Sequence, residues 1–350
     1  MTQPTRNGQA DSADRPQALI GLALCHEQFP ITQLVELGVQ AEEAGFGGIW
    51  ADDHFEPLQD NQGHCGLAWV TLAALGQRTR RLLLGTGVTC PSYRYRPQIV
   101  AQAFASLGLL YPGRVFLGVG SGEAVNEIPG GGGWGGFAER SARMEEAVML
   151  IRQLFTGEWV RHQGRYYAVD AARLYDVPSP PVPIYISAFG PKGMALAGKI
   201  GDGLISFTGP AAQPELRQAF EQAARAAGKE PAALPILVEH YVVVGDRQEA
   251  ERSALQWRFL SNAASYGNDP DPRSIQRRAE QDVSLEQASG SWVVSEDPRV
   301  HIRSLQQLID SGVTHIFVHA LQADQAKAVR FYGEQVLPNL SQVQRAGSRR

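Results

Sequence analysis

Arg114-Val115-Phe116-Leu117-Gly118-Val119-Gly120-Ser121-Gly122-Glu123 is an apolar run that empties into glycines and ends on an acid. In a protein of alternating strands and helices, such a strand end marks either the dinucleotide loop of an open sheet or the rim of a closed barrel. The dinucleotide fingerprint G-x-G-x-x-G needs glycine at position 123 or 125, and the chain has Glu123 and Val125 there. The spacing fails. The run therefore reads as one strand of a barrel rather than as part of a doubly wound sheet.

The same unit recurs on both sides of it. Apolar runs at 19–24, 48–51, 81–88, 182–187, 203–207, 236–244 and 314–319 have strand character. Amphipathic stretches at 31–44, 67–77, 97–110, 139–155 and 324–334 read as helices. Gly45 sits where a helix C-cap falls, and Pro97 opens a first helical turn. About eight strand–helix units imply a parallel sheet covered by helices. The expected fold is α/β, a (β/α)8 TIM barrel with insertions. The predicted organisation is a disordered polar tail over 1–17 and a single barrel domain over 18–340, closed by a tail over 341–350. Insertions are expected near 129–138, 157–180 and 261–291.

Composition narrows the function classes. The chain has 350 residues, 43% hydrophobic and 19% charged, enough for a large core. A formal net charge of -4 gives no footing for nucleic acid or an anionic membrane surface. Three cysteines, Cys25, Cys65 and Cys90, without C-x-x-C spacing read as reduced thiols in a cytoplasmic protein. Nowhere is there a run of about 18 apolar residues, so no membrane-spanning helix is expected.

Barrel enzymes carry their chemistry where the strands end. Those ends read Cys25-His26-Glu27, Asp53-His54, Val88-Thr89-Cys90, Glu123 with Asn126, Ser187-Ala188, Phe207-Thr208, Glu239-His240 and His319. Carboxylates beside a histidine suit proton transfer near neutral pH. His26 reads equally as a packed strand-end residue, and His64 and His319 as hydrogen-bonded structural histidines. No recognisable metal-ligand spacing is present, so no metal is expected, and no G-x-S-x-G elbow supplies a serine nucleophile. An acid–base site lacking both needs a cofactor for difficult chemistry. Trp134 amid the glycines of 130–136 reads as a lid residue over that cofactor or as part of a plain linker. The polar segment 261–289 reads as a substrate-covering insertion or a loop without function.

Several of these runs together resemble the luciferase-like barrel oxidoreductases. They are Cys25-His26-Glu27-Gln28-Phe29, Asp53-His54-Phe55, Leu84-Gly85-Thr86-Gly87-Val88, the 114–127 run and Tyr175-Asp176-Val177-Pro178. Within that superfamily, residues 19–338 are most similar to the F420-dependent glucose-6-phosphate dehydrogenases. The resemblance implies a cytoplasmic homodimer that passes a hydride between coenzyme F420, a deazaflavin, and an alcohol or carbonyl. It implies His54 as the base for the substrate hydroxyl, Glu123 as the acid near the deazaflavin ring and Glu27 as a further acidic catalytic residue. It also implies Asp53, Gly120, Gly122 and Asn126 as cofactor contacts, a cis peptide at Gly87-Val88, and Ser187, Ala188 and Gly190 near the cofactor phosphate.

Three departures from the family pattern concern the substrate. Leu58 stands where a tryptophan is expected, Phe207-Thr208-Gly209-Pro210 replaces a stretch with a phosphate-binding lysine, and Ser291 replaces an arginine before Trp292. Phosphate recognition rests on Lys and Arg donors. Their loss implies a non-phosphorylated substrate, met by Leu58, Phe207, Thr208 and Trp134. Arg273, Arg277 and Arg278 are the positions that would restore phosphate binding. The alternatives are a sugar-phosphate dehydrogenase, an FMN-dependent monooxygenase of the same superfamily, and a catalytically silent flavin-binding barrel.

Overall fold

The computed structural model describes residues 17–343. The polar tail read over 1–17 lies outside them except for Gln17, and so does the second tail beyond 343. Residues 341–343 follow the barrel, where the Ala18 amide donates to the Gln342 carbonyl at 2.8 Å.

Eight strands form the ring: β1 Leu19–Leu24, β2 Gly48–Ala51, β3 Leu83–Thr86, β4 Val115–Val119, β5 Ile184–Ser187, β6 Gly203–Phe207, β7 Ile236–Val243 and β8 His315–Ala320. Each pairs in parallel with the next, and β8 pairs with β1, setting Leu19 against His315. The sheet thus closes as a (β/α)8 barrel. Closure explains why the strands read as continuous apolar runs instead of alternating ones, because both faces are covered.

The two faces form separate clusters. Leu19, Ala23, Trp50, Leu83, Phe116, Tyr185, Ile205, Leu237 and Phe317 pack inside the barrel. Their neighbours along the strands face outward into the main core beneath the helices. Inside, Trp50 stacks on Phe317 with centroids 4.8 Å apart, and Phe116 lies 5.3 Å from Tyr185. Glycine makes room for these rings: a Cβ on Gly85 would sit 2.3 Å from Phe116, and one on Gly21 2.5 Å from Phe317. Such pairs contribute about 0.5–1.5 kcal/mol each beyond area burial.

Helices follow the predicted positions with small shifts at their ends. Pro97 opens the helix Pro97–Leu110, and Gly45 takes φ +97° just past the helix Ile31–Glu43. The segment read as 139–155 is the helix Phe137–Leu154, and the last helix stops at Phe331 before a π-turn. The strand read as 81–88 is regular only over β3; the Gly87–Val88 peptide after it is cis, and the Thr89 amide then donates to the Gly118 carbonyl at 2.9 Å. Two stretches were not legible as regular structure. The hairpin Val160–Gln163 with Ala168–Ala172 lies in the 157–180 region. Residues 261–289 carry the helices Ala263–Tyr266, Pro272–Asp282 and Leu285–Ser289, so the segment is an ordered part of the fold.

Candidate active site

A cavity of about 870 Å³ opens at the carboxyl end of the strands. It is bounded by the turns after β1, β2 and β4, by the β5 and β6 ends, and by Ala263, Ala264, Gly267 and Asn268 of the 261–289 segment. That segment therefore covers the site. The Ala124 amide ties it down by donating to the Gly267 carbonyl at 3.1 Å.

One wall is a proton-transfer group. Glu27 lies three residues past β1 and is 1% exposed; its Oε1 accepts a hydrogen bond from His54 Nδ1, while Oε2 has no partner. His54, three residues past β2, turns its other nitrogen into the cavity, with Nε2 3.6 Å from Glu123 Oε2. Burial pulls the imidazole down, but the Glu27 charge and hydrogen bond, helped by Glu123, outweigh it and raise His54 to about 9. Burial likewise pushes Glu27 up, and the facing imidazolium more than reverses this, leaving its carboxyl below its ordinary value. At neutral pH the pair is imidazolium and carboxylate.

Asn126 and Asp53 hold that wall in place. Asn126 Oδ1 accepts from the amides of Phe55 at 2.7 Å and Glu56 at 3.3 Å, fixing the turn behind His54, while its Nδ2 reaches Glu123 at 3.4 Å. Asp53 accepts from the Thr89 hydroxyl at 2.5 Å, from Arg94 Nη2 at 3.1 Å and from the Tyr95 hydroxyl at 3.2 Å. Both side chains line the cavity, yet most of their polar capacity is spent inside the protein.

The floor is built from inward-facing residues at the tops of the strands. Cys25 Sγ lies 2.6 Å from His319 Nε2, His319 Nδ1 lies 2.5 Å from Glu239 Oε1, and the Tyr241 hydroxyl donates to Glu239 Oε2 at 2.9 Å. Asp52 joins Cys25 and His319, with one donor atom of each within 4.8 Å of the others. Burial, with the charges of Glu27 and Glu239, pushes the Asp52 carboxyl well up.

Among the residues read from the sequence, Glu27, Asp53, His54, Leu58, Gly87, Val88, Gly120, Gly122, Glu123, Asn126, Ser187, Ala188, Gly190 and Phe207 all line this one cavity. Thr208 and Trp134 do not. Thr208 begins the short helix Thr208–Ala212, which carries it off the rim. Trp134 donates through Nε1 to Asn268 Oδ1 at 2.9 Å, and its ring lies under Arg140. His26 is a structural histidine, bonded to the Leu24 carbonyl and the Thr71 hydroxyl. His319, read as structural, faces the cavity while making its hydrogen bonds. Sequence reading passed over Asp52, Tyr241, Trp257 and Arg140; counting every second residue along each strand points Asp52 and Tyr241 inward.

The cavity suits a flat ring with an anionic tail. One part of the lining is formed by Gly87, Val88, Gly120, Ser187 and Ala188, all small or β-branched residues. At the rim, Gly190 precedes the helix Pro191–Ile200, with Lys192 and Arg140 nearby. Arg140 Nε is buried and without a partner, a donor waiting for an acceptor.

Comparison with known proteins agrees with this geometry. A family model described as luciferase-like monooxygenase matches residues 3–315. The F420-dependent hydroxymycolic acid dehydrogenase of Mycobacterium tuberculosis is 44% identical over 336 residues, covering 96% of this chain and 92% of that one. An F420-dependent glucose-6-phosphate dehydrogenase of Nakamurella multipartita is 41% identical over 334 residues, covering 93% and 97%. A solved F420-dependent secondary alcohol dehydrogenase holding an F420–acetone adduct superposes with a TM-score of 0.86 at 31% identity, over 91% of this chain and 98% of that one. With the barrel, the strand-end acids and matches along nearly its whole length, this chain belongs to the luciferase-like family.

Proposed function

We propose that this chain is an F420-dependent dehydrogenase/reductase that interconverts an alcohol and a carbonyl, and that its substrate carries no phosphate. The observation that carries the reading is the Glu27–His54–Glu123 group facing a cavity with a largely apolar substrate side formed by Leu58, Phe189, Phe207, Phe259 and Leu260. Residues at the Gly87–Val88 bulge, Gly120, Ser187, Ala188 and the Gly190–Lys192 rim would hold the cofactor, and Arg140 would meet its anionic part. Bound there, a deazaflavin supplies the hydride acceptor or donor.

The protein's own residues manage the proton. His54 Nε2 is the cavity-facing atom that exchanges a proton with the substrate oxygen, and the buried Glu27 carboxylate keeps the ring oriented and stabilises its charged form. Glu123, more exposed, sits where a second proton can be held close to Nε2. The imidazolium form is ready to protonate a carbonyl oxygen, whereas the neutral form that accepts an alcohol proton predominates only above about pH 9.

The substrate side is lined by Leu58, Phe189, Phe207, Tyr241, Phe259 and Leu260, with Phe189 and Phe207 stacked 4.5 Å apart. Arg140 and Lys192 are the only Arg or Lys side chains on the cavity wall among the described residues, and both stand at the cofactor rim. Arg273 and Arg278 are taken up by Asp271 and Asp269, and neither they nor Arg277 reach the cavity. An apolar alcohol fits such a wall better than a sugar phosphate, and a hydroxymycolic acid is the substrate in the mycobacterial relative's name. The reading includes a cytoplasmic homodimer. Three free cysteines accord with a reducing compartment, and no described helix is long and apolar enough to cross a membrane.

Parallel fluorescence titrations with F420 and FMN test the cofactor, and an alcohol screen read by F420 reduction tests the substrate. Tight F420 binding and turnover of neutral alcohols are expected. Preferential FMN binding would overturn the cofactor, and a tenfold or greater preference for glucose 6-phosphate would overturn the substrate class.

A further inference from the structure

The floor cluster has a composition the proton-transfer wall does not need. Three donors of different kinds, a thiol, a carboxylate and an imidazole, arrive from the ends of β1, β2 and β8 and meet within 4.8 Å. We propose that Cys25 Sγ, Asp52 and His319 Nε2 form a binding site for a divalent cation of zinc type.

Four features support a metal over a chance polar contact. The donor set is mixed S, N and O, which suits the borderline-soft Zn²⁺ and disfavours Mg²⁺ or Ca²⁺. His319 is fixed for ligation by its far nitrogen, held by Glu239, which is itself held by Tyr241. A carboxylate behind a histidine is the usual outer support of a metal ligand. Gln325, 2% exposed, places Nε2 3.3 Å from the Cys25 sulfur, an N–H donor that a sulfur ligand can accept. Finally, one thiolate and one carboxylate balance a dipositive ion, so the filled site adds no net charge to the barrel interior.

The geometry needs a small adjustment. A tetrahedral ion separates a sulfur and a nitrogen ligand by ~3.5 Å, so Cys25 Sγ and His319 Nε2, now 2.6 Å apart, must spread by about 1 Å. Three protein donors leave a fourth position open. Asp52 and His319 line the cavity, so that position faces the ligand space and takes water or an oxygen atom of a bound molecule.

Chelator-treated protein is loaded with Co²⁺ and separately with Zn²⁺, with no cofactor or substrate added, so the result is independent of the assigned activity. We expect one ion per chain after gel filtration. The Co²⁺ form should show a near-ultraviolet thiolate charge-transfer band and visible bands of a four-coordinate ion. C25S should lose the charge-transfer band, and D52N should bind more weakly. E239Q should weaken binding about 10–100-fold through loss of outer support. C90S, which removes a buried cysteine outside the cluster, should match the wild type, and melting curves are recorded for all four variants to check that each is folded. No retained ion in the wild type, or equal Zn²⁺ affinity and an unchanged cobalt spectrum in folded C25S, would overturn the site.

Discussion

The wall and the floor of the one cavity are built by different rules. His54 and Glu123 stand on the turns that leave β2 and β4, beyond the last paired residue, and Glu27 on the turn after β1. Their backbones are free of the ladder, so each site residue brings recognisable neighbours with it: Asp53-His54-Phe55, Gly122-Glu123-Ala124. The floor residues Glu239, Tyr241 and His319 lie within paired strands, and Cys25 and Asp52 directly after them. They are chosen by which face of the sheet they occupy; Cys25, Glu239 and His319 are legible singly as strand-end residues, but nothing in the local sequence marks them as one group. Turn chemistry is written along the chain, whereas barrel-interior chemistry is written across it.

The sharpest way to break this contrast is to remove the wall's central atom. H54A should lower kcat/KM for alcohol oxidation by about 10²–10⁴-fold, the range for a positioned acid–base group, while F420 affinity by fluorescence titration stays near the wild type. A variant that keeps more than a tenth of the activity would mean that the proton leaves through the floor.

The next largest effect is on pH. In wild type, kcat/KM for oxidation should rise about tenfold per pH unit and level near pH 9, because only neutral His54 accepts the proton. Carbonyl reduction should show the opposite trend and fall above that pH. E27Q removes the charge and the charge-assisted hydrogen bond that raise the imidazole, while burial, which lowers it, remains. The oxidation profile of E27Q should therefore level at a lower pH. An unmoved profile would show that Glu123 governs the titration instead.

A smaller change separates orientation from charge. Asn126 carries no charge, but its carbonyl oxygen fixes the two amides behind His54. N126A leaves both amides unpaired at a partly buried turn, which costs about 1–3 kcal/mol of stability. It should lower kcat, with the position of the pH profile kept. A shifted profile in N126A would assign Asn126 an electrostatic part that its geometry does not suggest.

The sequence carried most of the barrel and most of the wall. Continuous apolar strands, the failed dinucleotide spacing after β4 and the family-like runs around Glu27, His54 and Glu123 were all local signals. Cys25, Glu239 and His319 were each legible at strand ends, but their meeting with Asp52 was not, because Cys25 and His319 lie 294 residues apart and come together only when β8 closes against β1. Ligand-spacing rules look for donors on one turn or helix, and this set has none. The helices of the 261–289 segment escaped for a different reason: they are short and mostly polar, and each buries only one or two apolar residues, Tyr266, Ile275 with Ala279, and Ala288.

The smallest expected effect concerns the arginines of that segment. Arg273 pairs with Asp271 through Nε–Oδ1 at 2.9 Å and Nη2–Oδ2 at 3.0 Å, and its side chain is 70% exposed. An exposed pair of this kind contributes about 0–1 kcal/mol, and neither it nor Arg278 faces the cavity. R273A and R278A should each change kcat/KM for a neutral alcohol by less than about twofold, within the cost of losing such a pair. Their effect on glucose 6-phosphate should be no larger. Arg278 is the stricter case, since it also stacks 4.9 Å from the Tyr266 ring and so holds a helix that covers the site. If R278A alone impaired the alcohol and the sugar phosphate equally, the covering segment would matter through its packing. A selective loss on the phosphorylated substrate would instead move phosphate recognition into the 261–289 segment and return the substrate to the sugar-phosphate class.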